Sequence, residues 1–135
     1  MKYERQRNVA QTLVFRKSVP AGAEGYLDIN ITAHGYVRSV KTRFAAGENG
    51  TLQIRPVIIL PQDIMIDLLR YAGDPYLSGD DETVQNDVKI EVENHAIARA
   101  YYKNTATNPD TADSFVNVDI EVEYFEIIEP VNIIG

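Results

Sequence analysis

Cysteine is absent from the 135-residue sequence. That excludes disulfide staples, thiol nucleophiles and zinc centres built on thiolates. Tryptophan is also absent, and histidine occurs only at His34 and His95. So few imidazoles leave little for a histidine-rich metal cluster or for a general base. No apolar run approaches the ~20 residues that a membrane-spanning helix needs; the longest aliphatic run is Val57 to Leu60. The charged stretch from Met1 to Arg7 is not followed by the apolar segment of a signal peptide. The expectation is therefore cytoplasmic synthesis without a signal peptide and no membrane partner, and the Asn-X-Thr matches at Asn30 and Asn49 read as chance. Glycine-rich phosphate loops and the Gly-x-Ser-x-Gly nucleophile elbow are missing as well.

What is present fits one domain spanning 1–135. Hydrophobic residues make up 44% and charged residues 24% of the chain, a balance that excludes whole-chain disorder. A folded chain of this size buries about two-thirds of its unfolded surface, enough for a core without staples. The net charge is −7, which argues against a nucleic-acid partner because phosphate contacts need a basic footprint. The charge is split along the chain. Residues 1–60 carry nine basic and four acidic groups; residues 61–135 carry four basic and sixteen acidic groups. Two outcomes follow. Either the surface is dipolar and suits complementary contact between copies, or strands of the two halves interleave and the dipole disappears.

Period-two alternation dominates. Val9, Leu13, Phe15 and Val19 share one parity, and Pro20 to Gly25 break the chain. Leu27, Ile29 and Ile31 alternate with polar residues. Tyr36, Val40, Thr42 and Phe44 form one face, with Ser39, Lys41 and Arg43 on the other. Gly47-Glu48-Asn49-Gly50 carries an Asn-Gly pair suited to a tight hairpin. Leu52, Ile54, Ile58 and Leu60 follow, and Pro56 makes that strand an edge or a bulge. Ile64, Leu68 and Tyr71 fit a helical face, while Ile64, Ile66 and Leu68 also fit a strand; Pro61 and Asp63 are helix-start residues, so one short helix is expected near 62–72. Val88 to Glu93, a Glu93-Asn94-His95-Ala96 hairpin turn, a return strand over 97–103 and the strongly alternating Val116 to Tyr124 complete the pattern. Ile127, Ile128, Ile133 and Ile134 flank Pro130 in an apolar tail that is expected to dock on a neighbour or on the core. The fold class is all-β: an antiparallel β-sandwich of seven or eight strands, jelly-roll-like or Greek-key.

Catalysis has few carriers. His34 and His95 lie in turns, where histidines are solvated, and Glu91, Glu93, Glu121 and Glu123 occupy outward strand positions. No catalytic residue is assigned and no cofactor is expected. Calcium is the one metal the composition suits, since it takes six to eight oxygen ligands. Asp80 and Asp81 in one polar loop, and Asp110 and Asp113 in another, are the candidate ligands, although neither loop has EF-hand spacing. Tyrosine is abundant, with eight copies. Neighbouring strand residues face opposite ways, so one of Tyr101 and Tyr102 faces outward. With Tyr76 they are candidate ligand-binding residues, for which a carbohydrate is the fitting partner. Lys41, Arg43 and Arg55 either align as a basic stripe across adjacent strands or form an ordinary solvated face.

Ser78-Gly79-Asp80-Asp81-Glu82-Thr83, Val88 to Asn94, Tyr101-Tyr102-Lys103-Asn104-Thr105 and Val116 to Phe125 follow one another as loop, strand, strand and strand. This arrangement resembles small β-sandwich structural proteins of phages and prophages, of the head and tail accessory type. The resemblance covers the C-terminal half. It implies a non-enzymatic, self-assembling protein that partners copies of itself or other structural proteins, assembled into a virion. It carries over no functional residue. The alternative is a carbohydrate-binding sandwich, with calcium as its ion.

Overall fold

The computed structural model describes residues 2–69 and 75–132, with residues 2–8 and 126–132 as backbone only. Among the described residues the strands are β1 (Lys2–Val19), β2 (Glu24–Asn30), β3 (Gly35–Phe44), β4 (Leu52–Leu60), β5 (Ile64–Asp67), β6 (Glu82–Val92), β7 (Ile97–Asn104) and β8 (Ser114–Asn132). They form two four-stranded antiparallel sheets, ordered β1-β8-β3-β6 and β2-β7-β4-β5. The first strand pairs with the last, the second with the seventh, the third with the sixth and the fourth with the fifth. The chain is thus one long hairpin, rolled so that successive pairs fall in alternate sheets, which is the jelly-roll arrangement.

The centre of that hairpin is Pro61–Asp63, a single 3-10 turn. Gln62 and Asp63 have φ of 72° and 62°, and these left-handed positions reverse the chain so that Leu60 pairs with Ile64. The helix expected near 62–72 is not formed over 62–67. Ile64 to Asp67 instead pair with β4. An isolated single helical turn leaves its terminal N–H and C=O groups without partners, whereas a strand here satisfies them on β4. Tyr71, with the rest of 70–74, lies outside the described residues.

The core follows the alternation. Val116, Val118, Ile120 and Val122 of β8 are buried between the sheets with Leu13, Phe15 and Val19 of β1 and Leu52, Ile54 and Ile58 of β4. Each such side chain contributes about 1.5–3 kcal/mol on burial. In β3 both Val37 and Val40 are buried, although their parity differs. The register explains it: Val37 pairs with Val122 and Ser39 with Glu121, so one extra residue, Arg38, bulges. The bulge turns Tyr36 away from the Val40 face to which alternation alone assigns it.

Pro56 sits within an unbroken β4–β7 register opposite Ala100, and β4 is an interior strand. No bulge forms, and β4 is an edge here only locally, because β5 does not extend opposite Pro56. Ile54 exchanges both backbone hydrogen bonds with Leu77, so Ile54 and Pro56 direct their backbone groups to the side away from β7. There β5 has already ended, and the Pro56 carbonyl accepts from Leu68 N. The missing donor costs no ladder bond. At the start of β3, a Cβ on Gly35 would lie 2.9 Å from Tyr124 Cα and overlap the Glu123 carbonyl, so only glycine lets β3 approach β8.

Turn chemistry is as expected, but the pairings are not. Asn49 and Gly50 have φ of 50° and 74°, and His95 has φ of 79°. Yet the turn at 47–50 and the turn at 93–96 each carry the chain from one sheet to the other, so neither closes a hairpin. The C-terminal tail is also different from its expectation. Residues up to Asn132 continue β8 against β1, with Ile127 opposite Gln6 and Ile128 opposite Arg5. Ile133 and Ile134 lie outside the described residues. β3 stops pairing with β8 at Gly35–Tyr124. Beyond it, Lys2 to Asn8 and Phe125 to Asn132 form a two-stranded ribbon about 23 Å long at ~3.3 Å per residue.

The topology also disposes of the charge split. In both sheets every neighbouring pair joins one of β1–β4 to one of β5–β8. The basic half of the sequence is interleaved with the acidic half. Arg16–Asp119, Arg43–Asp81, Arg55–Asp67 and Asp28–Arg99 are the resulting ion pairs, at 2.6–2.8 Å. Lys41 and Arg43 lie on β3 in one sheet and Arg55 on β4 in the other, so no basic stripe joins them. Among the described residues, no helix is long and apolar enough to cross a membrane.

Candidate functional site

The outer face of the second sheet gathers the aromatic and ionic side chains. Register sets two rows across its strands. Tyr26 of β2, Tyr101 of β7 and Arg55 of β4 form one; Asp28, Arg99, Val57 and Asp67 of β5 form the next. Arg99 links the rows. Its Nε and Nη2 donate to the two Asp28 carboxylate oxygens at 2.7 and 2.9 Å, and Nη1 donates to Tyr101 Oη at 3.0 Å. Its guanidinium lies 3.9 Å from the Tyr26 ring centroid. The rings of Tyr26 and Tyr101 meet edge-on, 5.9 Å between centroids. Arg55 donates to Asp67 at 2.7 and 3.3 Å and lies 5.8 Å from the Tyr101 ring. The hydrogen bonds that they donate to Asp67 and Asp28 push both guanidinium groups above their already high range. Val57 faces outward at the centre of this layer and is nevertheless fully buried.

Next to this layer is a shallow depression of about 220 Å³ lined by Glu24, Gly25, Tyr26, Tyr76, Tyr101 and Tyr102. The structure therefore brings together the three tyrosines singled out in the sequence and adds Tyr26 and Glu24. Tyr101 faces out, half-buried, while Tyr102 is buried. A Cβ on Gly25 would stand 2.7 Å from Tyr102 Oη, so this glycine leaves room for the hydroxyl. Tyr26 is 53% exposed. An aromatic floor with a carboxylate at its rim can stack an apolar ring face and accept hydrogen bonds from hydroxyls.

Three of the four candidate calcium ligands, Asp80, Asp81 and Asp113, have carboxylates engaged within the chain. Asp80 accepts from Gly47 N at 2.7 Å and Asn49 N at 3.2 Å, which fixes the turn after β3. Asp81 pairs with Arg43, and Asp113 accepts from Ser18 Oγ at 2.7 Å. Asp110 donates its backbone N–H to Asn108 Oδ1 at 2.9 Å. Among the described residues the triad of metal-ligating side chains lies elsewhere, at His34, Glu91 and Glu93, whose ligand atoms all lie within 4.8 Å of one another. Sequence reasoning separates these residues, reading a solvated turn and a solvated strand face. Glu91 and Glu93 share a face because they are two apart on one strand. Their approach to His34 depends on the long-range pairing of Gly35 with Val92.

No family model and no curated protein matches the sequence. Solved structures do. A chain from the infectious bursal disease virus Gx strain superposes with a TM-score of 0.48 at 13% identity, covering 93% of this chain and 34% of that one. The VP2 subviral particle of the same virus gives 0.45 at 12%, covering 90% and 32%. The Gt strain gives 0.45 at 14%, covering 89% and 32%. The chain spans about a third of the length of those chains. They belong to a virus, but the phage-specific form of the sequence resemblance finds no support among them.

Proposed function

We propose that this chain is a non-enzymatic structural module that assembles with copies of itself through the edges of its first sheet, as a component of a virion. The supporting observation is that the outer edge of β1 is unpaired among the described residues. The strand runs from Lys2 to Val19 at the margin of its sheet, and its N-terminal part continues with β8 into the ribbon. Soluble proteins keep edge strands short or cover them, because unpaired N–H and C=O groups recruit another strand. A lone two-stranded ribbon is marginally stable in water, so a partner strand stabilises it.

Charge selects that partner. The two edges of the first sheet come from opposite halves of the sequence. β1 contains Lys2, Arg5, Arg7, Arg16 and Lys17 against Glu4, whereas β6 contains Glu82, Asp87 and Glu91 against Lys89. Pairing β1 of one copy with β6 of the next is a head-to-tail contact, which closes into rings or extends into filaments. The experiment is solution mass by light scattering at rising concentration and at two salt levels. A discrete multimer that dissociates in high salt, and in the charge-reversed R5E/R7E chain, supports this reading. A monomer at every concentration overturns it.

A second reading has its own observation, the tyrosine-lined depression beside Glu24. A carbohydrate-binding module stacks a sugar ring on Tyr76, Tyr101 or Tyr26, with calcium as its ion. A sugar specific to the folded state raises the melting temperature, and Y76A and Y101A abolish that rise. A broad sugar panel, with and without calcium, that leaves the melting temperature unmoved removes this reading.

A further inference from the structure

We propose that His34, Glu91 and Glu93 form a binding site for one divalent transition-metal ion of the zinc class. Two segments that are distant in sequence supply it: the turn between β2 and β3, and the C-terminal end of β6 with the residue just past it. His34 Nε2 lies 2.8 Å from Glu91 Oε1. The two carboxylates and this nitrogen are all within 4.8 Å of one another. Zinc bonds imidazole nitrogen and carboxylate oxygen at about 2.0–2.2 Å, so three ligands around one ion stand roughly 3–3.5 Å apart. Small rotamer changes in three exposed side chains suffice to close that difference.

The imidazole is already oriented. Phe125 meets its ring edge-on at 5.3 Å between centroids, and Phe125 N donates to the His34 carbonyl at 3.0 Å. Glu91 and Glu93 are like charges on one face, which repel. Lys89, the cation next on that face, lies over the Tyr36 ring at 5.1 Å. Among the described residues the Glu93 carboxylate has no hydrogen-bond or ion-pair partner, and the His34 contact engages only Glu91. A dication satisfies both carboxylates together. A depression of about 400 Å³, lined by Leu60, Pro61, Gln62, Ile64, Glu91 and Glu93, borders the site and leaves room for waters at the remaining coordination positions. Imidazole in the set selects zinc, nickel or cobalt over calcium and magnesium, which take oxygen ligands.

The test is calorimetric titration of the full chain with zinc chloride, and separately with calcium chloride, alongside H34A, E91Q, E93Q and H95A. All four positions are exposed, and melting curves without metal check that each variant folds. The expected result is one zinc ion per chain and no calcium competition for it. H34A, E91Q and E93Q each weaken zinc by at least about tenfold, since even supporting residues around a metal cost that much, and H95A leaves affinity unchanged. Binding that survives H34A, that H95A weakens equally, or that exceeds one ion per chain overturns the proposal, as does the absence of zinc binding.

Discussion

Replacing Arg99 tests whether the outer layer of the second sheet is a single coupled unit. Its side chain is 19% exposed and that of Asp28 is 32% exposed, so solvent screens the pair only in part. The two-pronged contact at 2.7 and 2.9 Å is worth about 1–1.5 kcal/mol, below a buried charge-assisted pair and above a typical surface pair. Stacking on Tyr26 at 3.9 Å adds about 0.5–1 kcal/mol. The hydrogen bond to Tyr101 Oη adds about 0.5–1 kcal/mol. Arg99→Ala is therefore expected to cost about 2–3.5 kcal/mol, and Asp28→Ala about 1–1.5 kcal/mol. Urea unfolding of both single variants and the double variant gives their coupling energy, expected near 1 kcal/mol and smaller in high salt. Arg99→Lys keeps the charge but loses the planar fork and the flat stacking face, so it recovers less than half the loss. A coupling below about 0.3 kcal/mol, or a lysine variant as stable as the parent, refutes this account.

Two buried polar groups yield further predictions. Thr42 is fully buried and, among the described residues, its Oγ1 has no hydrogen-bond partner; Thr42→Val, which keeps the shape and removes the hydroxyl, is expected to stabilise by about 1 kcal/mol in urea unfolding. A destabilised T42V chain would mean that the hydroxyl has a partner. The Glu48 carboxyl is pushed above its usual range by burial, with Asp80 adding to the shift, while the hydrogen bond from Phe115 N and the charge of Arg43 oppose it. The folded chain thus binds this proton more tightly than the unfolded chain. The stability cost is absent below the unfolded value, near 4.5, and grows until the pH passes the raised folded value. Glu48→Gln is accordingly expected to be more stable than the parent at pH 7, with the gain vanishing by pH 4. A difference that does not change with pH counts against it.

Local chemistry was legible in the sequence and long-range choice was not. The alternation from Val116 to Tyr124 marked β8, and the positive φ at Asn49 and Gly50 followed from residue type. Both are properties of a few consecutive residues. The helix near 62–72 failed because Ile64 and Leu68 suit either period, and only the presence of β4 decides between them. Tyr36 failed because a bulge at Arg38 leaves no mark in the alternation. Tyr76, Tyr101 and Tyr102 were found by type, since tyrosine suits half-exposed sites. Tyr26 and Arg99 were missed as partners because nothing in sequence joins β2 to β7.

That division has one physical source. In this topology only β4 and β5 are joined by a local hairpin, and every other connection crosses between sheets. Strand pairing is therefore set by distance from Pro61–Asp63 along the folded-back chain, not by the turn that follows each strand. The same rule builds both sites, bringing Tyr26 to Tyr101 and His34 to Glu91 from positions far apart in sequence. It also decides what becomes of the charge. Folding a basic half back on an acidic half alternates their signs across each sheet and neutralises part of the split in pairs such as Arg16–Asp119 and Arg99–Asp28. The remainder falls on the margins of the first sheet, where β1 and β6 each lack one neighbour from the opposite half. The proposed assembly draws on this remainder: among the described residues the β1 and β6 edges are open, and their sequences carry opposite net charge.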